Sequence, residues 1–443
     1  MADAAPKPPV DGGTSSGDPY FPRMGDAGYD ALHYDIALRY RPSTKRLAAV
    51  TTVRLRPSVA LRSFALDLRG LKVSAVSVDG RRARFHQSTQ KLRVRPAAPL
   101  VRGRAVSVRI AYSGTTGRPI DDTDSLFGWV STPEGALVVS EAYGAPTWYP
   151  VNDSPADKAT YSFAVTVPRD REAVTNGLPV GRPVTKQGWT TYRYREASPM
   201  ASYLATVAIG DYTIVHYVKD GLTYVTAVDD GLTPTKRTET LAALSRQSSM
   251  IAYFSKRFGP YPFTSAGAVV DRFEIGYDLE TQSRPIFSTV ATEEAVAHET
   301  THQWFGDSVT PKRWKDIWLN EGFATYGMWL WSRHEGRTTF AKEEARLRAI
   351  PATDELWKGK VADPKASTLY DQLVYDRAAL ALVQLQERVG MPTFTRILRA
   401  WASTYRHRNA STADFVALAE KTSGQDLTAF FRTWLHTAGK PAF

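Results

Sequence analysis

Hydrophobic and polar residues alternate along much of the first half of the chain. Between residues 30 and 230 apolar side chains recur at every second position, as at Tyr34, Ile36, Leu38 and Tyr40. Successive side chains of a β-strand point to opposite faces, so this pattern predicts strands with one buried face. We therefore predict an N-terminal β domain over residues 21–231, built as an antiparallel β-sandwich or a saddle-shaped sheet.

The hydrophobic period changes after residue 232. Residues 235–258 carry apolar side chains at near-helical spacing, and Gly259-Pro260 ends the run. Further helices are predicted near residues 291–306, 321–335, 368–389, 392–405, 411–422 and 426–437. The predicted fold class is a multidomain α+β protein, with the β domain followed by a mainly helical domain over residues 232–443.

Residues 1–20 show no hydrophobic period. They are rich in Ala, Pro, Gly and Ser, and such a segment buries too little apolar surface to order itself. We predict a flexible tail here. The segment also lacks the basic and apolar regions of a signal peptide. No run of 18 apolar residues occurs in the chain, so we expect no membrane-spanning helix.

Composition narrows the choice of chemistry. The 443 residues are 43% hydrophobic and 23% charged, which is typical of globular proteins, and they include no cysteine. Disulfides, thiolate nucleophiles and cysteine-ligated metals are thereby excluded. The formal net charge is +11, and +10 of it lies in the first 133 residues. Nucleic-acid binding by this basic part remains an alternative function, although the chain contains no recognised nucleic-acid motif.

The sharpest local motif is His298-Glu299-Thr300-Thr301-His302. Two histidines four residues apart lie on one face of a helix, so both imidazoles can bind one metal ion, and Glu299 lies beside them. Catalytic zinc needs a third protein ligand, and Glu321 follows after a predicted loop over residues 306–320. Imidazoles with a carboxylate suit zinc better than magnesium or calcium.

Residues 298–326, HETTHQWFGDSVTPKRWKDIWLNEGFATY, resemble the gluzincin aminopeptidases of peptidase family M1, the aminopeptidase N and leukotriene A4 hydrolase type. Residues 148–161, 200–212 and 374–390 are also similar to that family. The resemblance implies a saddle-shaped β domain followed by a thermolysin-like zinc-peptidase domain. In length the chain resembles short bacterial members without the C-terminal domains of larger relatives.

The resemblance also implies roles for individual residues. It makes His298, His302 and Glu321 the ligands of one zinc ion and Glu299 the general base. Tyr375, in Val-Tyr-Asp-Arg-Ala, matches the tyrosine with which the family stabilises the oxyanion. The implied activity is that of a zinc metallo-aminopeptidase, which hydrolyses the N-terminal residue from peptides with a zinc-activated water.

The family binds the free N-terminus of its substrate through a G-x-M-E-N segment, and the corresponding stretch here is residues 277–282. Glu280 keeps the glutamate, Leu279 replaces the methionine and Thr281 replaces the asparagine. Glu141, in Val-Ser-Glu, matches a second glutamate that the family places in a Q-x-E pattern. We expect Glu280 and Glu141 to bind the substrate ammonium, with Asp278 and Leu279 also contributing to substrate binding.

Three other functions are compatible with the same zinc motif. These are a zinc endopeptidase, an epoxide hydrolase and a catalytically silent peptide-binding protein. The expected partners are peptides with a free N-terminus, without nucleic acid or membrane, and the sequence does not specify an oligomeric state. Resemblance to short bacterial members, the unstructured tail and the absent cysteines together lead us to expect a secreted protein, with the cytoplasm as the alternative.

Overall fold

The computed structural model describes residues 8–121 and 124–442. The chain forms two compact units, and the boundary between them lies between Thr213 and Ile214. This boundary precedes the predicted one at residue 231. The reason is strand pairing: residues 222–229 pair in parallel with residues 265–271, which come after two helices. Hydrophobic alternation identifies a strand but does not identify the sheet that it joins.

The N-terminal unit is built from β-strands in three sheets. The largest sheet has the order β14-β16-β12-β2-β3-β9-β5-β6, with β15 also pairing β16, and the others are β1-β4-β8-β7 and β10-β11-β17-β13. The strands are β1 Val10–Asp11, β2 Tyr29–Arg41, β3 Arg46–Pro57, β4 Leu61–Asp67, β5 Lys72–Val78, β6 Arg81–Arg82, β7 Arg84–Gln87, β8 Lys91–Arg95, β9 Val106–Thr115, β10 Gly128–Ser131, β11 Ala136–Val139, β12 Lys158–Pro168, β13 Glu172–Thr175, β14 Leu178–Pro179, β15 Val184–Lys186, β16 Trp189–Ala201 and β17 Val207–Gly210.

The alternation read from the sequence is confirmed in strand β2. Its side chains Tyr34, Ile36, Leu38 and Tyr40 are all buried, and the residues between them are mostly exposed. β2 pairs antiparallel with β3 and parallel with β12. One strand of the large sheet therefore runs parallel to its neighbour, a detail that the predicted antiparallel β-sandwich or saddle-shaped sheet did not include.

The segment predicted as a flexible tail is structured where it is described. Val10–Asp11 pairs in parallel with Leu61–Asp67, and the side chain of Asp18 accepts hydrogen bonds from the backbone of Tyr20 and Phe21. Residues 1–7 of the predicted tail lie outside the described residues. A two-residue strand has no hydrophobic period, so composition alone could not reveal this pairing.

Two buried carboxyl groups lie close together in the N-terminal unit. Asp153 accepts a hydrogen bond from Ser202 Oγ at 2.7 Å, while its Oδ2 has no partner in the described part of the chain. Asp67 forms an ion pair with Lys91 at 2.5 Å. Burial, reinforced by the charge of Asp67, raises the pKa of Asp153 to about 8. Its ordinary value is 3.8, so folding favours the protonated carboxyl.

This raised pKa predicts how stability varies with pH. Below about pH 4 this carboxyl is protonated in both the folded and the unfolded chain, so it does not lower the free energy of unfolding. Above that pH, folding must either take up a proton or bury a negative charge, so the free energy of unfolding falls until about pH 8. Asp153→Asn keeps an acceptor for Ser202 and removes the charge. We expect it to raise the Tm at pH 9 by about 5 °C and to change the Tm little at pH 4.

Thermal unfolding of the whole chain at both pH values measures this effect. Asp170→Asn removes an exposed carboxylate from the same unit and is the matched control, for which we expect no change in pH dependence. If Asp153→Asn changes the Tm equally at the two pH values, the buried carboxyl does not control the alkaline loss of stability.

The C-terminal unit combines a small sheet with helices. Its sheet has the order β18-β19-β20-β21, and β22 pairs in parallel with β23. The elements are β18 Tyr212–Lys219, β19 Leu222–Asp229, α1 Pro234–Ser245, α2 Gln247–Phe258, β20 Ser265–Asp271, β21 Ile286–Ser288, α3 Glu293–His302, β22 Val309–Pro311, α4 Trp318–His334, α5 Phe340–Ala349, α6 Glu355–Lys358, α7 Ala378–Val389, α8 Met391–Thr404, β23 Arg408–Ala410, α9 Thr412–Ser423 and α10 Thr428–Phe431.

The predicted α+β fold class is confirmed, with differences of detail. The helix predicted over residues 235–258 is two helices, α1 and α2, separated at Arg246. Both halves carry apolar residues at helical spacing, so the pattern did not reveal the break. A π-helical turn, Leu373–Arg377, precedes α7 within the helix predicted over residues 368–389. Among the described residues, the helices are too short or too polar to cross a bilayer.

Candidate active site

Helix α3 holds both histidines of the motif. Thr292 caps its first turn by accepting a hydrogen bond from the backbone N–H of Ala295, and Glu293 and Glu294 lie where the helix dipole favours negative charge. His302 is fully buried at the end of the helix, and His298 is half-buried one turn earlier. The spacing therefore directs both rings to one face, as the sequence predicted.

Two glycines allow helix α4 to pack closely on its neighbours, one against α3 and the other against α7. A Cβ atom at Gly327 would lie 2.1 Å from Thr301 Oγ1 on α3, and one at Gly322 would lie 2.5 Å from the Cβ of Ala378 on α7. Glycine inside a helix costs about 1 kcal/mol relative to alanine, and here it permits close packing on both sides. The close approach at Gly327 is between α4, which carries Glu321, and α3, which carries both histidines.

The side-chain atoms of His298, His302 and Glu321 form a compact triangle. The two Nε2 atoms are 3.1 Å apart, and each lies 3.4 Å from Glu321 Oε2. A tetrahedral zinc with bonds of about 2.0–2.1 Å holds its ligand atoms about 3.3–3.4 Å apart. The triangle therefore has the size and donor chemistry of a three-ligand zinc site.

The surroundings prepare these groups for metal binding. His302 Nδ1 lies 3.1 Å from the carbonyl oxygen of Phe305, which orients the ring and leaves Nε2 as the metal-binding atom. Burial would raise the pKa of Glu321, but the charge of His302 and hydrogen bonds with both histidines lower it to about 2. Glu321 is therefore a carboxylate at all ordinary pH values.

Two further carboxyl groups lie against this triangle. Oxygen atoms of Glu280 and Glu299 and a ring nitrogen of His302 all lie within 4.8 Å of one another. Glu280 and Glu299 are almost fully buried, and Glu299 Oε2 has no hydrogen-bond partner among residues 8–121 and 124–442. Burial raises the pKa of Glu299 well above its usual range, His302 opposes this, and Glu280 and Asp278 reinforce it.

The carboxyl groups of Glu280, Glu299 and Glu321 lie close together, and a cation among them would stabilise their charged forms. A divalent cation held by the triangle lowers the pKa of a carboxyl group beside it, because the cation is the largest charge in the site. Glu299 then becomes available as a proton acceptor near neutral pH.

Tyr375 lies at the same site. It belongs to the π-helical turn Leu373–Arg377, and its ring is 6.1 Å from the ring of His298, centroid to centroid, with an angle of 23° between the planes. Single π-helical turns often occur at functional sites, and here the turn precedes α7, which packs on α4. The structure thus brings Tyr375 together with His298.

Asp278 and Leu279 lie just before Glu280. Leu279 is buried and exchanges both backbone hydrogen bonds with Ile286, so this segment continues the edge of the sheet next to β21. Asp278 is half-buried and accepts a hydrogen bond from the backbone N–H of Ser288 at 2.8 Å. Burial raises the pKa of Asp278 to about 6.

Glu141 belongs to the N-terminal unit. It is half-buried and lies after β11, in a turn that Gly144 closes by donating its backbone N–H to the carbonyl of Ser140. Its assignment as a second ammonium anchor stays a prediction.

Family comparisons agree with this geometry. Residues 274–434 match the peptidase family M1 domain, and residues 30–204 match the peptidase M1 N-terminal domain. The chain belongs to peptidase family M1. The predicted family is confirmed, and so is its order of an N-terminal β domain before a peptidase domain.

Relatives in family M1 are named aminopeptidases. A probable aminopeptidase 1 from Sulfurisphaera tokodaii is 26% identical over 85% of this chain and 49% of its own length. Aminopeptidase N from Streptomyces lividans is 25% identical over 93% of this chain and 50% of its own length. The chain thus spans about half the length of these two relatives.

Solved M1 structures match over nearly the whole chain. An M1 zinc metallopeptidase from Deinococcus radiodurans, bound as a variant to a Tyr-Ser-Ala substrate, is 29% identical, with a TM-score of 0.88 over 97% of this chain and 99% of its own. A two-domain M1 zinc metallopeptidase bound to L-arginine gives a TM-score of 0.87. The predicted zinc cofactor is confirmed, while the role of each site residue stays a prediction.

Sequence reasoning missed one residue beside the site. Gln303 directly follows His302, is buried, and contacts both Glu280 and Glu299 through their backbone carbonyls. The available signal was a glutamine between the second histidine of the motif and the apolar pair Trp304 and Phe305, because a buried amide must be hydrogen-bonded.

Proposed function

We propose that this protein is a zinc metallo-aminopeptidase, which removes the N-terminal residue from peptides. One observation carries the proposal: the zinc-sized triangle of His298, His302 and Glu321 lies against two buried carboxyl groups, Glu299 and Glu280. One carboxylate beside a zinc site is enough for hydrolysis. The second needs another task, and binding the positive N-terminus of a peptide is one that its charge and burial support.

The residues divide the chemistry as follows. His298, His302 and Glu321 would hold the zinc ion, which would supply an activated water and polarisation of the scissile carbonyl. Glu299 accepts a proton from the attacking water and passes it to the nitrogen of the leaving amine. Tyr375 donates a hydrogen bond from its phenolic O–H to the oxyanion that develops on the carbonyl oxygen.

Glu280 sets the place of cleavage. Its carboxylate binds the α-ammonium group of the substrate, which offsets the cost of burying a negative charge. With the ammonium held there, the carbonyl of the first residue is the one that reaches Glu299 and the metal. Glu141 is our candidate for a second anchor. Asp278 and Leu279 are candidates for contacts with the first side chain, and the carboxyl group of Asp278 supports a preference for polar or cationic residues.

A panel of aminoacyl chromogenic substrates tests this function, with each substrate assayed free and N-acetylated. We expect cleavage of the free substrates, at least about 100-fold slower cleavage of the acetylated ones, complete loss with 1,10-phenanthroline and recovery on adding zinc. Equal cleavage of blocked peptides would indicate an endopeptidase, turnover of an epoxide alone would indicate an epoxide hydrolase, and peptide binding without turnover would indicate a silent binding protein.

A further inference from the structure

The chain around Glu280 is unusually polar for its depth. Glu280, Thr281, Gln282, Ser283 and Arg284 are each at most 2% exposed. They form a tight turn, in which Arg284 donates its backbone N–H to the carbonyl of Thr281. Ser283 has a φ of +62°, a left-handed conformation that serine rarely adopts. Surrounding groups must therefore hold this turn in place.

Gln303, the C-cap residue directly after helix α3, contacts this turn. Its Nε2 donates to the carbonyl of Glu280 at 3.1 Å and lies 3.5 Å from the carbonyl of Glu299, while its Oε1 accepts from the backbone N–H of Ser283 at 2.7 Å. Oε1 also lies 3.5 Å from the hydroxyl of Tyr261. The amide is therefore hydrogen-bonded to the turn at two residues, Glu280 and Ser283.

The partners determine which way this amide points. A backbone carbonyl only accepts and a backbone N–H only donates, so Nε2 must face Glu280 and Oε1 must face Ser283. With these contacts Nε2 has two acceptor oxygens within reach, and Oε1 has two donors within reach. A hydrocarbon side chain of similar size would leave the Ser283 N–H and the Glu280 carbonyl without this partner.

We propose that Gln303 is a positioning residue that sets where Glu280 stands relative to Glu299 and the zinc ligands, and so determines selectivity for free N-termini. The inference rests on the proposed aminopeptidase function. Gln303 follows His302 directly, so its amide joins the backbone of the ammonium anchor to the helix that binds the metal. A displacement of about 1 Å at such an anchor can cost about 100-fold in rate, because the scissile carbonyl moves with the ammonium.

Gln303→Leu tests the proposal, with Gln247→Leu as the matched control. Gln247 is also a buried glutamine of the C-terminal unit, and its Nε2 donates to a backbone carbonyl, that of Gly267, at 2.9 Å. Each substitution removes a buried amide from a carbonyl partner. Both variants should therefore lose stability, whereas only the change at Gln303 should affect how the substrate N-terminus is recognised.

The measurements are zinc content, Tm, and kcat and KM for one aminoacyl substrate in free and N-acetylated form. For Gln303→Leu we expect full zinc content, a KM for the free substrate raised about tenfold or more, and a ratio of free to acetylated kcat/KM lowered by a similar factor. Gln247→Leu should keep the wild-type ratio. If Gln303→Leu fails to fold, Gln303→Met, which has an unbranched side chain, takes its place.

A double substitution separates action through Glu280 from a general disturbance. In a Glu280→Ala background, Gln303→Leu should cause no further loss of selectivity, because the group that it positions is already absent. A Gln303→Leu enzyme with the wild-type ratio, or an equal further loss in the Glu280→Ala background, overturns the proposal. A wild-type enzyme that does not prefer free substrates overturns the aminopeptidase function itself, and the selectivity role of Gln303 with it.

Discussion

Glu299→Gln should lower kcat by about 10²–10⁴-fold while leaving zinc binding intact. Glutamine keeps the size of the side chain but cannot accept a proton from water at neutral pH. Glu299 contributes no atom to the zinc-sized triangle, so replacing it should not release the metal. Steady-state kinetics and metal analysis of the purified variant measure the two quantities separately.

Glu294→Gln is the matched control for this experiment. The same substitution is made in the same helix, at an exposed residue in its first turn, and we expect wild-type kcat. Substrate binding should survive in Glu299→Gln, because Glu280 is unchanged. A variant that turns over at the wild-type rate would remove Glu299 from the mechanism, and one that lacks zinc would make it a structural support of the metal site.

Tyr375→Phe should lower kcat by about 10²–10³-fold with little change in KM. The substitution removes one hydroxyl and leaves the ring that stacks beside His298. The lost hydrogen bond forms to an oxyanion that exists only during the reaction, so binding of the ground-state substrate should be nearly unaffected.

The control for Tyr375 is Tyr405→Phe in the same unit. The ring of Tyr405 packs on Trp401 at a centroid distance of 4.6 Å, and we assign its hydroxyl no part in the chemistry. Its kcat should match the wild type. If Tyr375→Phe instead raises KM and leaves kcat alone, the hydroxyl contributes to substrate binding rather than to stabilising the oxyanion.

Much of the fold was predictable because the spacing of apolar residues along the chain indicates which segments are strands and which are helices. Strand β2 alternates between buried and exposed residues, and the helices of the C-terminal unit carry apolar residues at helical spacing. Two failures share one cause. The strand Val10–Asp11 and the sheet joined by Leu222–Asp229 depend on pairing partners distant in sequence, which a local period does not contain.

The amino-acid sequence alone determined the chemistry that this protein carries. His298 and His302 are four residues apart, with Glu299 between them, so helical geometry alone places both histidines on one face of the helix. Tertiary structure decided what surrounds that motif. Gly327 lets α4 pack closely on α3, where Glu321 Oε2 lies 3.4 Å from both histidines, and the amide of Gln303 holds the turn of Glu280 beside them. These distances depend on how separate elements pack against each other. The residue pattern within one element does not contain that information.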